Sequence, residues 1–162
     1  MSDAVAAVIA FGSNLGQRAE TIQVAADQLA ATEGIELVKL APVIETPALR
    51  PYGLDPEAPA YLNTVALIET TLSASELHAV LQDLENAHGR ERTTRWGDRT
   101  LDLDLIVYGD VQQDDPQLTL PHPRAHERDF VLRPWLTVDP LAELPGHGRV
   151  SDLLDALAEA GV

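Results

Sequence analysis

The sequence contains no cysteine, a single lysine and only seven aromatic residues among its 162 residues. The absence of cysteine excludes disulfide bridges and thiolate metal sites, and it is compatible with a reducing compartment. No apolar run approaches the roughly 20 residues of a membrane-spanning helix. Residues 4–11 are apolar, but they lack the basic segment that precedes the apolar core of a signal peptide. We therefore expect a soluble, cytoplasmic protein that does not associate with membranes.

Positive charge is also scarce, with 11 Lys and Arg against 26 Asp and Glu and a net charge of −15. This balance argues against binding nucleic acid through a broad basic surface. The cations are unevenly distributed, because seven of them, all arginine, lie within residues 90–133. Arginine is well suited to bidentate phosphate contacts. Surface ion pairing is the alternative, but the clustering favours a polyanion site.

The length and the ordinary apolar and charged fractions, 45% and 23%, suit one globular domain covering residues 1–162. Hydrophobic periodicity predicts the following order: strand 4–11, helix 17–32, strand 35–44 interrupted near Pro42, loop 46–59, strand 61–69, helix 73–89, strand 101–107, short edge strand 118–120, helices 127–136 and 151–157. Ser73 and Glu76 form a capping box at the start of the second helix.

The order β-α-β-β-α-β predicts an α+β fold of the ferredoxin-like type, in which helices cover an antiparallel sheet. A helical tail follows at the C-terminus. Folds of this kind carry many activities, so the function has to be argued from particular residues.

Asp102 and Asp104 are the most unusual feature of the predicted strand 101–107. Strict alternation places them on one face together with Ile106 and Tyr108, opposite a face of Leu101, Leu103, Leu105 and Val107. Aspartate is depleted in strands. One interpretation is a solvated strand face, and the other is a pair of carboxylates that binds divalent cations for phosphoryl chemistry. The neighbouring Arg95 and Arg99 favour the second.

Two other groups of residues leave a functional and an ordinary interpretation open. Arg90 and Arg92 either compensate a helix dipole or close over phosphates. His122 and His126 have a spacing of four, but Pro121 and Pro123 exclude a helix across them. A histidine that donates to a phosphate beside Arg128 is therefore favoured over a zinc site, and His147 is interpreted as a structural or surface residue.

Three of the few aromatic residues, Tyr61, Trp96 and Phe130, stand beside polar residues rather than in an apolar stripe. Core packing explains this pattern. The alternative is a stacking slot for a flat heterocycle, with the amide of Asn63 at its edge.

Six motifs together resemble the 6-hydroxymethyl-7,8-dihydropterin pyrophosphokinase family of folate biosynthesis. They run through most of the chain: Gly12-Ser-Asn-Leu, Glu45-Thr-Pro, Tyr61-Leu-Asn, Glu85 with Gly89-Arg90, Arg95-Trp-Gly-Asp-Arg-Thr-Leu-Asp-Leu-Asp, and Pro121-His122 with Arg128-Asp-Phe. The resemblance implies an enzyme that transfers pyrophosphate from ATP to the pterin hydroxymethyl group and releases AMP.

The resemblance also implies roles for individual residues. Asp102 and Asp104 would bind two Mg²⁺ ions, and Arg90 and Arg99 would act in catalysis by stabilising charge on the transferred group. The nucleotide site would consist of Gln82, Glu85, Arg92, Thr119, His122 and Arg128. The pterin site would consist of Thr46, Pro47, Leu49, Tyr61, Asn63, Trp96 and Phe130.

The resemblance implies ATP and the pterin alcohol as partners, and we expect a monomer that binds no nucleic acid. Two alternatives are a different two-metal phosphoryl transferase, which would form another nucleotide product, and a non-catalytic ferredoxin-like module that binds a nucleotide or metabolite without turnover.

Overall fold

The structure is a computed structural model that describes residues 4–13, 18–46, 48–50, 53–55, 61–88 and 101–159. Within these residues the strands are β1 (Val5–Ser13), β2 (Ile35–Leu40), β3 (Ile44–Thr46), β4 (Ala48–Arg50), β5 (Gly53–Asp55), β6 (Tyr61–Thr70), β7 (Asp102–Tyr108), β8 (Gln113–Asp115), β9 (Leu118–Leu120), β10 (Glu143–Leu144) and β11 (Gly148–Arg149). The α-helices are α1 (Arg18–Ala30), α2 (Ala74–His88), α3 (Asp129–Val138) and α4 (Val150–Glu159), and a 3₁₀ turn covers Ala125–Glu127.

The main sheet has the strand order β2-β6-β1-β7, and β3 also pairs with β6. All of these pairings are antiparallel. Each helix, α1 and α2, connects two strands that have a third strand between them, as in the split β-α-β units of a ferredoxin-like fold. The predicted α+β class, with helices covering an antiparallel sheet, is therefore confirmed.

Helices α1 and α2 cover one face of the sheet, which we call the α1/α2 face. Its core contains Ile9 and Phe11 of β1, Leu103 and Leu105 of β7, and the inward stripes of the two helices, Ile22, Ala25, Ala26, Leu29, Leu77 and Leu81. The helical spacing of these apolar residues predicted their burial. At the start of α2, Ser73 N–H donates to Glu76 Oε1 (2.9 Å) and Glu76 N–H donates to Ser73 Oγ (3.1 Å), which confirms the capping box.

The C-terminal tail covers the opposite face, which we call the α3/α4 face. Val8, Val65 and Ile106 of the sheet pack there against a separate apolar cluster whose tail residues include Val131, Leu132, Trp135, Leu144 and Val150. The helical tail is therefore the second layer over the sheet. Among the described residues, no helix is both long and apolar enough to cross a lipid bilayer.

A β-bulge in β7 corrects the predicted facing of two residues. Val8 pairs with Val107, and the next residue, Ile9, pairs with Leu105, so Ile106 is an extra residue in the strand. An insertion of one residue reverses the side-chain alternation beyond it. Val107 consequently joins the α3/α4 core. Tyr108 turns to the α1/α2 side, where its hydroxyl donates to Leu72 O (2.6 Å).

Several predicted boundaries also change. The predicted strand 35–44 consists of two strands, β2 and β3, and the predicted loop 46–59 contains the end of β3 and the paired strands β4 and β5. The predicted edge strand at Leu118–Leu120 is confirmed, but it pairs with β8 in a separate two-stranded sheet. The helix predicted at 127–136 begins at Asp129, after the 3₁₀ turn. These differences arise because short strands are stabilised by their pairing partners more than by their own sequences.

Candidate active site

Asp102 and Asp104 both lie on the α3/α4 face, near the end of the sheet where β1 finishes. They alternate with Leu101, Leu103 and Leu105, which all belong to the opposite core. Both aspartates are of intermediate exposure, so they are neither in the core nor on a fully solvated face. The predicted placement of the two carboxylates on one strand face is confirmed.

The register of the neighbouring strands places Ala10, Gly12 and Asn63 beside these aspartates. Asp104 pairs with Ala10, and Asp102 pairs with Gly12, which in turn pairs with Asn63 on β6. Since adjacent strands lie about 4.8 Å apart, the Cα atoms of Asn63 and Asp102 are roughly 10 Å apart. Gly12 contributes no side chain between them. The amide of the buried Asn63 and the carboxylate of Asp102 thus belong to one row across the sheet.

The segment after β9 brings His122 to Asp104. His122 N–H donates to Ile106 O (2.8 Å), which attaches the segment to β7. His122 Nε2 then lies 4.0 Å from Asp104 Oδ1. The Arg124 backbone N–H donates to His122 Nδ1 (3.2 Å), so in the neutral ring the proton belongs on Nε2. That N–H is the donor on the Asp104 side.

Burial lowers the pKa of His122 below its usual value. The negative charge of Asp104 acts in the opposite direction, while the positive charges of Arg128 and Arg124 lower the pKa further. The net effect favours the neutral imidazole near pH 7. We therefore describe His122 as a neutral donor rather than as the cation of an ion pair.

Arg128 approaches the same carboxylate from the other side, with Nη1 at 3.7 Å from Asp104 Oδ2. Burial lowers the pKa of Arg128, and the negative charges of Asp104 and Asp102 oppose that lowering. A guanidinium nevertheless stays protonated at neutral pH. Its Cζ also lies 5.7 Å from the centre of the Phe130 ring, a cation–π distance. Arg128 therefore contacts both an aromatic residue and the carboxylate.

On the opposite side of the sheet, Glu85 reaches β7 from α2. Its Oε2 accepts a hydrogen bond from the backbone N–H of Leu103 (2.9 Å), the residue between the two aspartates. Gln82 lies one turn earlier on α2 and is exposed. Glu85 thus contacts the strand segment that carries the aspartates, and Gln82 is on the helix over the α1/α2 face.

The two aspartates are too few to enclose a metal ion by themselves, but they suit Mg²⁺, which needs few protein ligands. In the part of the chain that the structure describes, no three His, Asp or Glu side chains are grouped so that they could hold a metal ion. Mg²⁺ is typically bound by one or two carboxylates, and substrate phosphates and waters supply the other ligands. Asp102 and Asp104 match that pattern.

The structure brings together five of the predicted site residues: Asp102, Asp104, His122, Arg128 and, through Arg128, Phe130. Thr119 lies on β9, and its hydroxyl donates to Asp115 O (3.1 Å) within the hairpin. For Thr46, Leu49 and Tyr61, only the backbone positions on β3, β4 and β6 are described. Arg90, Arg92, Trp96, Arg99 and Pro47 lie outside the described residues.

Gly12 enters the sequence analysis only as the first residue of a motif, with no role assigned to it. The structure places it inside β1, between Asn63 and Asp102. The signal that could have drawn attention to this position is the alternation of the small residues Ala10 and Gly12 with the large residues Ile9 and Phe11, because glycine within a strand often marks a close approach of another group.

The fold and the site define a class, namely a ferredoxin-like α+β domain with carboxylate, arginine and histidine side chains gathered at one end of its sheet. The family model described as 7,8-dihydro-6-hydroxymethylpterin-pyrophosphokinase (HPPK) matches residues 8–140. The chain belongs to this family.

Individual relatives agree with this assignment. The chain is 36% identical over 155 residues to the 2-amino-4-hydroxy-6-hydroxymethyldihydropteridine pyrophosphokinase of Haemophilus influenzae, and the match covers 96% of this chain and 94% of that protein. It is 38% identical over 157 residues to the Folic acid synthesis protein fol1 of Schizosaccharomyces pombe. That match covers 96% of this chain but only 21% of the yeast protein, so the chain spans about a fifth of that relative's length.

Solved structures agree with the fold. A crystal structure titled HPPK-DHPS in complex with substrates superposes with a TM-score of 0.75 at 10% identity, over 98% of this chain and 44% of that chain. The Plasmodium falciparum HPPK-DHPS A437G structure with STZ-DHP gives a TM-score of 0.67 at 11% identity, over 97% and 43%. The chain spans less than half of each of these structures.

Proposed function

We propose that this protein transfers a pyrophosphoryl group from ATP to the hydroxymethyl oxygen of 6-hydroxymethyl-7,8-dihydropterin and releases AMP. The observation that carries the proposal is the convergence of His122 Nε2 and Arg128 Nη1 on Asp104, beside Asp102. Membership of the family adds support, because relatives that this chain matches over nearly their full length have pyrophosphokinase in their names.

We assign Mg²⁺, as two ions, to Asp102 and Asp104. Bound there, Mg²⁺ would neutralise phosphate charge and polarise the attacking hydroxyl. This assignment depends on the two carboxylates, both of which interact electrostatically with Arg128. The distance of 3.7 Å between Arg128 and Asp104 is longer than a charge-assisted hydrogen bond, so the carboxylate retains acceptor capacity.

The residues of the chain would bind and orient the triphosphate. The Arg128 guanidinium supplies a planar set of donors for phosphate oxygens, and the His122 Nε2–H supplies one more donor. A neutral His122 donates a hydrogen bond without needing a change of charge, which the lowered pKa favours. Arg90, Arg92 and Arg99, together with Gln82, Glu85 and Thr119, are proposed to complete this part of the site.

The pterin would lie beside the aspartates, in the row that Asn63, Gly12 and Asp102 form across the sheet. Asn63, in the same row as Asp102, is proposed to bind the edge of the heterocycle, and Phe130 and Tyr61 to stack on its faces. Thr46, Pro47, Leu49 and Trp96 are proposed to complete the pterin site.

The reaction is a displacement at the β-phosphorus. The hydroxymethyl oxygen forms a bond to that phosphorus, the bond from it to the bridging oxygen of the α-phosphate breaks, and AMP carries away the bridging oxygen. The hydroxyl proton is released. Positioning of the two substrates and neutralisation of phosphate charge account for the catalysis.

Product identification tests the proposal. We expect that incubation with ATP, MgCl₂ and the reduced pterin alcohol yields AMP and pterin pyrophosphate in equal amounts, as measured by ³¹P NMR and chromatography. Formation of ADP, or of free pyrophosphate with a nucleotidylated product, would instead identify another phosphoryl or nucleotidyl transferase. Binding of ATP without any product would support a non-catalytic module.

We further propose that residues 1–162 act as one pyrophosphokinase domain and that the chain is a cytoplasmic monomer that binds no nucleic acid. The two cores on opposite sides of one sheet support a single folding unit. Light scattering after size-exclusion chromatography would test this, because a mass near 17.5 kDa is expected for a monomer.

A further inference from the structure

The segment from His122 to Arg128 carries both of the side chains that approach Asp104, and its shape depends on a 3₁₀ turn. The turn covers Ala125–Glu127, and Arg128 N–H donates to Ala125 O (3.2 Å) at its end. Ala125 is fully buried in the α3/α4 core. A shift of this turn would therefore move His122 and Arg128 relative to each other.

His126, at the centre of the turn, stacks on His147. The ring centroids are 4.3 Å apart, and the ring planes are inclined by 15°. His147 lies between β10 and β11, and its backbone N–H donates to Leu144 O (2.9 Å). Leu144 is itself buried in the α3/α4 core. The stack consequently joins the 3₁₀ turn to a hairpin that is anchored in the core.

The His126 ring contacts its surroundings through the stack rather than through a hydrogen bond at Nδ1. Its Nδ1 is buried without a hydrogen-bond partner within the described residues. Its Nε2 lies 3.8 Å from Glu127 Oε1, beyond hydrogen-bond distance. A buried polar atom without a partner costs free energy that an apolar ring would avoid. Parallel stacking of two flat rings offsets part of that cost.

We propose that His126 and His147 are positioning residues that hold the 3₁₀ turn so that His122 and Arg128 present their donors to the ATP phosphates. Neither histidine touches a substrate in this proposal. The inference rests on the proposed function for its kinetic consequence, but the mechanical link between the hairpin and the turn can be tested without catalysis.

The kinetic test compares His147→Ala, which removes the stack, with His147→Phe, which keeps a flat ring in the same place. We expect His147→Ala to raise the KM for ATP about three- to tenfold, with the KM for the pterin unchanged. His147→Phe should restore the KM for ATP to within about twofold of the unmodified protein. His78→Ala, on the opposite face of the sheet, is the matched histidine control and should leave both constants unchanged.

The structural test uses NMR signals of the His122 imidazole and the Arg128 Nε–H in the free protein. We expect His147→Ala to shift both signals, and His147→Phe and His78→Ala to leave them near their original positions. Thermal unfolding of each variant accompanies the spectra, so that a variant that fails to fold is recognised. If His147→Ala fails to fold, His147→Leu, which also lacks a flat ring, takes its place. If His147→Phe fails to fold, His126→Phe is the ring-preserving comparison.

The outcomes separate the two proposals. Unchanged His122 and Arg128 signals in His147→Ala, or equal effects on the KM values of both substrates, would overturn the positioning role. If the unmodified protein neither binds ATP nor forms AMP, the proposed function fails, and the NMR comparison alone decides whether the stack positions the turn.

Discussion

Asp104 has a different neighbour at each of its carboxylate oxygens, His122 Nε2 near Oδ1 and Arg128 Nη1 near Oδ2. Its side chain is 41% exposed, so these contacts are screened by solvent and contribute little to the stability of the fold. What they contribute is a defined electrostatic environment at the end of the sheet. At the scale of residues, these side chains are therefore suited to binding charged ligands, and they contribute little to the stability of the fold.

We expect Asp104→Asn to reduce AMP release by about 10²-fold or more, because the amide keeps the shape of the side chain but removes the charge that a divalent cation needs. The free energy of unfolding should change by less than about 1 kcal/mol. Steady-state kinetics and urea unfolding measure the two quantities. Asp155→Asn, on the surface of α4, is the control, and full activity of Asp104→Asn would contradict the metal assignment.

Among the secondary-structure elements, α2 begins with a reciprocal pair of hydrogen bonds between Ser73 and Glu76. The hydrogen bond with the Ser73 backbone, and then the one with its side chain, lower the pKa of Glu76 below its usual value. A carboxylate with a lowered folded pKa stabilises the protein fully above its unfolded pKa. That stabilisation is lost as the pH falls through the folded pKa.

We therefore expect the free energy of unfolding of Glu76→Gln to depend less on pH in the acid range than that of the original protein. The difference in free energy of unfolding between the original protein and Glu76→Gln should be constant above about pH 5 and should shrink as the pH falls below 4.5. Urea unfolding measured across this range tests the sign. In Ser73→Ala the backbone donor remains, so an intermediate pH dependence is expected, and a difference that grows with acidification would contradict the assignment.

The turn between α1 and β2 depends on Gly34, whose φ is +88°. Its carbonyl accepts hydrogen bonds from Thr70 Oγ1 (2.7 Å) and from Thr71 N–H (2.9 Å), which attach the turn to the end of β6. A Cβ at this position would lie 3.0 Å from Leu72 Cδ2. Gly148 also has a positive φ, +102°, but a Cβ there would meet nothing within 4 Å.

Comparison of Gly34 with Gly148 separates the cost of the positive φ from the cost of crowding by a neighbouring side chain. We expect Gly148→Ala to lower the free energy of unfolding by about 1 kcal/mol through φ strain alone. Gly34→Ala should cost about 2 kcal/mol, because the Leu72 side chain must also move. Denaturant titration of both variants provides the comparison. Equal losses would show that Leu72 accommodates the methyl group without cost.

At the scale of the whole molecule, the net charge of −15 opposes the compact state by self-repulsion. The edge strand β2 gives a local example, because Glu36 pairs directly with Glu69 on β6 and both side chains are exposed. Like charges directly opposite each other on an antiparallel pair are destabilising.

We expect NaCl to raise the free energy of unfolding, since salt screens exposed charges that lie close together. Glu36→Lys should raise it by up to about 1 kcal/mol at low salt and should reduce its dependence on salt. Urea titrations at low and high NaCl test both statements. Glu36→Gln, which removes the repulsion without adding an attraction, should lie between, and a salt response that is the same in all three proteins would contradict this account.

Local patterns in the sequence determined the long elements of this protein and the type of its fold. The apolar spacing of Ile22, Ala25 and Leu29 and the capping box at Ser73 define helices, because each pattern involves neighbours within one or two turns. The alternation of Leu101, Leu103 and Leu105 with two aspartates likewise indicated a strand that carries two carboxylates on one face. Those parts required no knowledge of distant residues.

Only the tertiary structure decided which residues surround those aspartates. The bulge at Ile106, the place of Gly12 between Asn63 and Asp102, and the stack of His126 on His147 all depend on pairing between segments far apart in the chain. The covering of the α3/α4 face by the C-terminal tail also depends on such contacts. Strand register and ring stacking are set by packing between surfaces, which short-range periodicity does not encode.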